Sequence, residues 1–259
     1  MKVAVIGASG VLGNQVADLL AGRGHDVVRA NRATGVDAYT GEGLAEVCAG
    51  ADAVVDCLSL QTLKAKEAID FFATAAGNIG RAAAQARVAH VICVSIVNAD
   101  VPAVNAKFGY YQGKAAQEET YRKVVDPAAL TIVASVQWFE LAEQMMGTMS
   151  FGPLAVVPKM RCRPAAAADV AVALADVVVA GPQGTSKVEV AGPAVMDLVD
   201  VAKAVAAQQG SPRWVVGVPF GGPAIRGGGL VPDHLDVVTE TTLDQWLDAR
   251  RNAPVGGSR

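Results

Sequence analysis

The sequence opens on an apolar run, Val3-Ala4-Val5-Ile6, that passes without a spacer into Gly7-Ala8-Ser9-Gly10-Val11-Leu12-Gly13. A helical period follows at once over residues 14–23. Few structures accept that order. A buried strand must end in a tight turn, and the turn must open a helix that doubles back over the strand. Glycine suits each step: the first permits a sharp reversal, the second leaves room beside the backbone, and the third lets helix and strand pack closely. No Gly-Lys-Ser or Gly-Lys-Thr follows, so the turn is not a P-loop.

The same alternation continues. Strand-like runs recur at 26–30, 53–58, 91–97 and 130–136, and helical stretches lie at 43–48, 64–86 and 110–124. A very short further strand is expected to end near Asp37. Strands and helices in this rhythm predict right-handed βαβ units and an α/β fold: a Rossmann-type, doubly wound parallel sheet covered on both faces. Beyond residue 137 the pattern is less regular. Helices are expected at 139–149, 167–179, 198–208 and 243–250, strands at 187–191 and 214–218, and a glycine-rich loop at 221–229. The expected organisation is a dinucleotide-type core over 1–137 and a C-terminal part over 138–259. That part returns late elements to the core and forms a small substrate-side subdomain.

Composition narrows the function. Aromatic residues make up only 5% of a chain that is 52% hydrophobic, so the core is built from small and β-branched side chains, as close packing of helices on a parallel sheet requires. Net charge is −3, with no basic stripe, which argues against nucleic acid as a partner. Cys48, Cys57, Cys93 and Cys162 are far apart. Without a Cys-x-x-Cys pair they read as reduced thiols, and no metal site is expected. The uncharged stretch 144–158 is too short to span a bilayer, and no leader pattern is read at the start. A cytoplasmic location is expected, with a small-molecule substrate as partner and a homodimer allowed.

The front of a helix presents unpaired N–H groups and a positive dipole end, a natural seat for phosphate. In sites for NAD an acidic residue about 20 positions on accepts the ribose 2′-hydroxyl. Here the second strand ends in Arg29-Ala30-Asn31-Arg32, with no carboxylate. Asn31 and Arg32 suit a 2′-phosphate instead, which favours NADP(H) over NAD(H).

These features resemble the short-chain dehydrogenase/reductase superfamily, and most closely its atypical, NmrA-like branch of NAD(P)-binding proteins. The resemblance is carried by Gly7, Gly10 and Gly13, by Asn31-Arg32, by Asp37 ahead of Thr40-Gly41-Glu42-Gly43-Leu44, and by residues 53–59. It continues through Ser95-Ile96-Val97, Tyr110-Tyr111-Gln112-Gly113-Lys114 and Asp169-Val170-Ala171. It implies that Ser9, Val11 and Leu12 join the three glycines in holding the cofactor. It further implies that Asp37 faces the adenine amino group, that Cys57-Leu58-Ser59 lie along the cofactor, and that Lys114 holds the nicotinamide ribose. Bland readings stand beside these: Asp37 also suits a turn, and Cys57 and Leu58 also suit a core.

Tyr110 and Lys114 are spaced i and i+4, which puts both on one helix face. A nearby ammonium favours a phenolate, and a phenol so tuned can exchange a proton with a carbonyl oxygen. Similarity to the superfamily gives Tyr110 the acid/base role, Lys114 that of ribose anchor and tuner, and Ser95 that of carbonyl orienter. Tyr111 is a rival acid. Gln137, Trp138 and Phe139 fall where the family places substrate contacts. The two rings suit either a flat, quinone-like substrate or a local hydrophobic anchor. The expected function is NAD(P)H-dependent hydride transfer to a small carbonyl or quinone. The alternatives are a non-catalytic NADP(H) sensor and a sugar-nucleotide epimerase or dehydratase.

Overall fold

A computed structural model describes residues 1–62, 64–184, 187–219 and 221–252. In chain order the strands are β1 Lys2–Ile6, β2 Asp26–Ala30, β3 Ala53–Asp56, β4 His90–Ile96, β5 Leu130–Ser135, β6 Ser150–Phe151, β7 Leu154–Lys159, β8 Arg161–Cys162, β9 Lys187–Ala191, β10 Met196–Asp197, β11 Trp214–Pro219 and β12 Val237–Val238. The helices are α1 Val11–Gly22, α2 Leu44–Cys48, α3 Ala65–Gln85, α4 Pro102–Asn105, α5 Gly109–Val124, α6 Phe139–Thr148, α7 Ala167–Ala180, α8 Leu198–Gln209, α9 Pro223–Gly227 and α10 Leu243–Asn252. The chain divides into two compact units. One holds Met1–Ser135 and Val170–Val190, and the other holds Val136–Asp169 and Ala191–Arg259. No helix among the described residues is long and apolar enough to cross a membrane.

In the first unit six strands pair in the order β9-β5-β4-β3-β1-β2. All five pairings are parallel, as an α/β Rossmann-like fold requires. The strands are runs of Val, Ile and Ala because they are covered on both faces; every residue of β3 and β5 is buried. Ile6 stands opposite both Ala30 and Asp56. The strand order reverses there, so the carboxyl ends of β1 and β3 border the crevice where open α/β sheets take ligands. Ala4, Ile6, Val54, Ile79, Ile132 and Tyr121 belong to one buried cluster beneath that edge.

The expected strand near Asp37 is corrected. Beyond β2 the described chain forms a short 3-10 turn over Arg32–Thr34, and Asp37 makes only an isolated bridge to Glu42. Local polar groups win over pairing. Asn31 and Thr34 close a capping box on each other's backbone, and Asp37 Oδ1 accepts from the N–H groups of Tyr39 and Thr40. Short polar side chains compete for backbone donors in this way.

The second unit carries β11 parallel to β7, with β6 antiparallel on the far side of β7, and β10 antiparallel to β8. Glu140 on α6 is its polar pivot: it accepts the Trp246 indole N–H at 3.0 Å and the Ala167 N–H. Asp169 accepts the Thr241 N–H, a structural contact.

His90 opens β4 and is 1% exposed. Its Nε2 pairs with the Thr131 hydroxyl at 2.9 Å, and its Nδ1 has no partner among the described residues. Burial lowers its pKa to about 4, whereas a free histidine titrates near 6.5. The folded state therefore prefers neutral His90, and its contribution is complete above about pH 6.5. As pH falls from there toward about 4 the unfolded chain binds the extra proton, and up to about 3 kcal/mol is lost. Urea denaturation across that window should show this loss, and His90→Gln should flatten it. An equal slope in the variant would place the acid sensitivity elsewhere.

Candidate functional site

The opening turn forms as its glycines dictate. Gly7 adopts a left-handed φ of +80°, and a Cβ there would lie 3.0 Å from the Cys57 carbonyl group. The end of β1 and the end of β3 therefore touch through backbone. A Cβ on residue 13 would sit 2.4 Å from the Gly7 carbonyl oxygen, so only glycine lets α1 start this close to the strand. The Gly7 N–H donates to Ala30 O, and the Gly10 N–H donates to Gly7 O.

The first N–H groups of α1 have no carbonyl one turn back to receive them. No side chain caps them, and the first turn holds no acidic residue. Ser9, Gly10 and Val11 are exposed there, while Leu12 and Gly13 are buried. An uncapped positive helix end beside a Cβ-free turn fits a diphosphate, and so fits the dinucleotide that the sequence implies.

At the end of β2, Asn31 is committed to its own turn: its Oδ1 accepts from Ala33 and Thr34. Arg32 is exposed. Arg29 is tied back to α1 through Asn14 and Asp18, which leaves Arg32 as the available guanidinium. Asp37 anchors the turn over 37–42. Asn78 on α3 clamps that turn by donating to the carbonyls of Ala38 and Tyr39 at 3.0 and 2.8 Å.

Helix α5 buries a polar face: Lys114, Gln117, Glu118 and Tyr121 are each 2% exposed or less. It can do so because β3 ends in a buried partner, Asp56, 0% exposed. Asp56 Oδ2 accepts from the Gln117 amide and the Tyr121 hydroxyl, each at 2.7 Å, and Oδ1 accepts the Leu58 N–H at 2.9 Å. Burial, with Asp56 beside it, holds the Tyr121 phenol well above the ordinary range. Lys114 Nζ donates to Leu58 O, Val94 O and Gln117 Oε1, each at 3.0 Å. An ammonium has three protons, and all three go to the protein. The same cation lies 4.5 Å from the Phe72 ring centre.

Two of the expected site residues are buried in this geometry. Ser95 is 1% exposed and its hydroxyl donates to Glu118 Oε1. Glu118 is also paired with Arg122 at 2.8 Å. The single proton of Ser95 goes to Glu118. Lys114 ties the 57–59 loop to β4. Tyr110 is half-buried and accessible, whereas Tyr111 is buried. The Tyr110 ring stands edge-on to Phe72, with centres 5.6 Å apart. Its hydroxyl is 3.1 Å from Ser59 Oγ.

The remaining expected contacts lie in the second unit. Phe139 is fully buried against Trp246, with ring centres 5.5 Å apart, the packing that the hydrophobic-anchor alternative describes. Gln137 is buried and Trp138 half-buried. All four cysteines are free. Burial pushes the Cys48 and Cys162 thiols up to about 11 and about 12 and the Cys57 thiol higher still, so none is a ready nucleophile.

Sequence reading missed Asp56, Gln117, Glu118 and Tyr121. The signal was present in α5, where 114, 117, 118 and 121 share one face. Their partner Asp56 lies 61 residues before Gln117, beyond the reach of local spacing.

No family model matches the chain, and no curated protein matches it. Solved structures do share its fold. A dTDP-4-dehydrorhamnose reductase from Bacillus anthracis, in complex with NADP, superposes with a TM-score of 0.68 at 15% identity over 97% of this chain and 92% of that one. A short-chain dehydrogenase/reductase superfamily protein from Agrobacterium tumefaciens with bound NAD gives 0.67 at 15% identity over 97% of both chains. UDP-N-acetylglucosamine 4-epimerase from Bacillus cereus gives 0.67 at 15% identity over 98% of this chain and all of that one. The chain therefore shares the Rossmann-like fold of these proteins.

Alanine is a better helix former than glycine by about 1 kcal/mol. At residue 13 the overlap with the Gly7 carbonyl opposes that gain. Gly13→Ala is expected to lower stability by about 1–3 kcal/mol in urea melts. A variant as stable as the parent would show that the turn tolerates a wider separation of strand and helix.

Proposed function

We propose that this chain binds NADP(H) on the opening turn and reduces a small carbonyl or quinone-like compound. The observation that carries the reading is the uncapped front of α1, held against the end of β3 where the strand order reverses. Shared fold with proteins whose structures hold NADP or NAD supports it. Gly7, Ser9, Gly10, Val11, Leu12 and Gly13 would cradle the diphosphate. Cys57, Leu58 and Ser59 would border the cofactor, and Asp37 would stand near the adenine. Arg32 would meet the 2′-phosphate, which makes NADP(H) the favoured form.

Bound NADPH supplies the hydride. The protein supplies a proton and a fixed place for the substrate oxygen. Tyr110 is the accessible phenol of α5, and its O–H can be given to an oxygen as negative charge develops on it. Lys114 holds the Leu58 backbone in place and sets a positive charge beneath Phe72 and Tyr110. A quinone that takes hydride directly needs no such proton donor.

The proton inventory also favours a second reading. With the Ser95 proton and all three Lys114 protons used internally, the chain suits a non-catalytic NADP(H) sensor. Turnover separates the two. The oxidoreductase consumes NADPH with a panel of carbonyls and quinones, and Tyr110→Phe then loses carbonyl reduction by about 100-fold or more while keeping NADPH affinity. Binding without turnover across the panel supports the sensor instead. Arg32→Ala is expected to weaken NADPH about tenfold, the size of one charge-assisted hydrogen bond, and to leave NADH unchanged. Equal weakening of both cofactors would remove Arg32 from the phosphate site.

A further inference from the structure

Ser95 gives its proton to Glu118, whereas a different serine hydroxyl lies within hydrogen-bond reach of Tyr110. We infer that Ser59, rather than Ser95, is the hydroxyl that works with Tyr110. The inference rests on the oxidoreductase reading above and deepens it.

Three observations on the first unit support it. Ser59 is exposed, and the Tyr110 hydroxyl, 3.1 Å away, is its partner among the described residues. The backbone that carries Ser59 is fixed on both sides of the preceding residue: Asp56 Oδ1 holds the Leu58 N–H, and Lys114 Nζ holds the Leu58 carbonyl. Asp56 and Lys114 are themselves linked through Gln117, which donates to Asp56 and accepts from Lys114. A fully buried polar network thus aims an exposed loop hydroxyl at the accessible tyrosine. Well-satisfied buried networks are rigid, and rigidity is what a positioned donor requires.

The chemistry balances. The carbonyl carbon gains the hydride of NADPH, and its oxygen gains the Tyr110 proton as the phenolic O–H bond breaks. The tyrosine oxygen is left anionic, and the Ser59 O–H donates to it until solvent returns a proton. Ser59 thus bonds the reacting oxygen of Tyr110 directly. The same arrangement explains how Lys114 serves without touching the phenol: it positions Ser59 through the Leu58 carbonyl and contributes charge at a distance.

The test uses the full chain with NADPH and the carbonyl that the parent protein reduces best. Ser59→Ala is expected to lower kcat, measured at saturating NADPH, about 100-fold, the usual effect of removing one aimed donor. Ser59→Thr, which restores a hydroxyl, should recover kcat to within about threefold. A Ser59→Ala protein that keeps its kcat, or a Ser59→Thr protein that stays as slow as the alanine variant, overturns the assignment while leaving the oxidoreductase reading intact. A parent that binds NADPH yet reduces nothing in the panel overturns both. Ser59 is exposed, so circular dichroism of each variant should match the parent.

Discussion

One close approach sets the geometry of the whole strand-end region. The Gly7 carbonyl oxygen occupies the space that any side chain at position 13 would need, at 2.4 Å from an ideal Cβ. Because residue 13 is glycine, α1 begins directly on the end of β1. Because residue 7 is glycine, the same turn rests on the backbone of Cys57. Helix front, first strand and third strand are thereby fixed together where the strand order reverses. The free N–H groups of the helix lie where the sheet opens, and no side chain among the described residues caps them. For the diphosphate proposed to bind there, donors aligned in advance would leave little ordering to be done on binding.

Beneath that edge lies a second constraint of a different kind. Helix α5 buries Lys114, Gln117 and Glu118, which is costly unless every group is paired. Asp56, Tyr121, Ser95 and Arg122 complete the pairing. The network removes Ser95 and Lys114 from the surface and converts them into supports. What remains accessible is a pair of hydroxyls, Ser59 and Tyr110, one on the loop after β3 and one on the first turn of α5. The functional surface is therefore defined as much by which donors are consumed as by which residue types are present.

Sequence reading captured what local rules encode. Alternating apolar runs and helical periods sufficed for the parallel sheet, and the glycine spacing sufficed for the opening turn, since each glycine answers a steric demand within a few residues. It is silent where distant groups decide. The end of β4 marks Ser95 as a strand-end serine, but only Glu118 on α5 determines that its proton points inward. Asn31 and Asp37 carry the right chemistry for a cofactor, yet their oxygens also satisfy neighbouring backbone N–H groups, and that local competition replaced the expected strand with a turn. Phe139 by its type suits a substrate face or a core, and only Trp246, more than a hundred residues later, shows what it packs against.

Backbone amides at the front of α1 are proposed to hold the paired phosphates of a dinucleotide. Titration calorimetry of the full chain with NADPH and with NADH tests it most directly. The account expects saturable 1:1 binding, tighter for NADPH than for NADH. Heat-silent titrations with both cofactors up to millimolar concentration would contradict it.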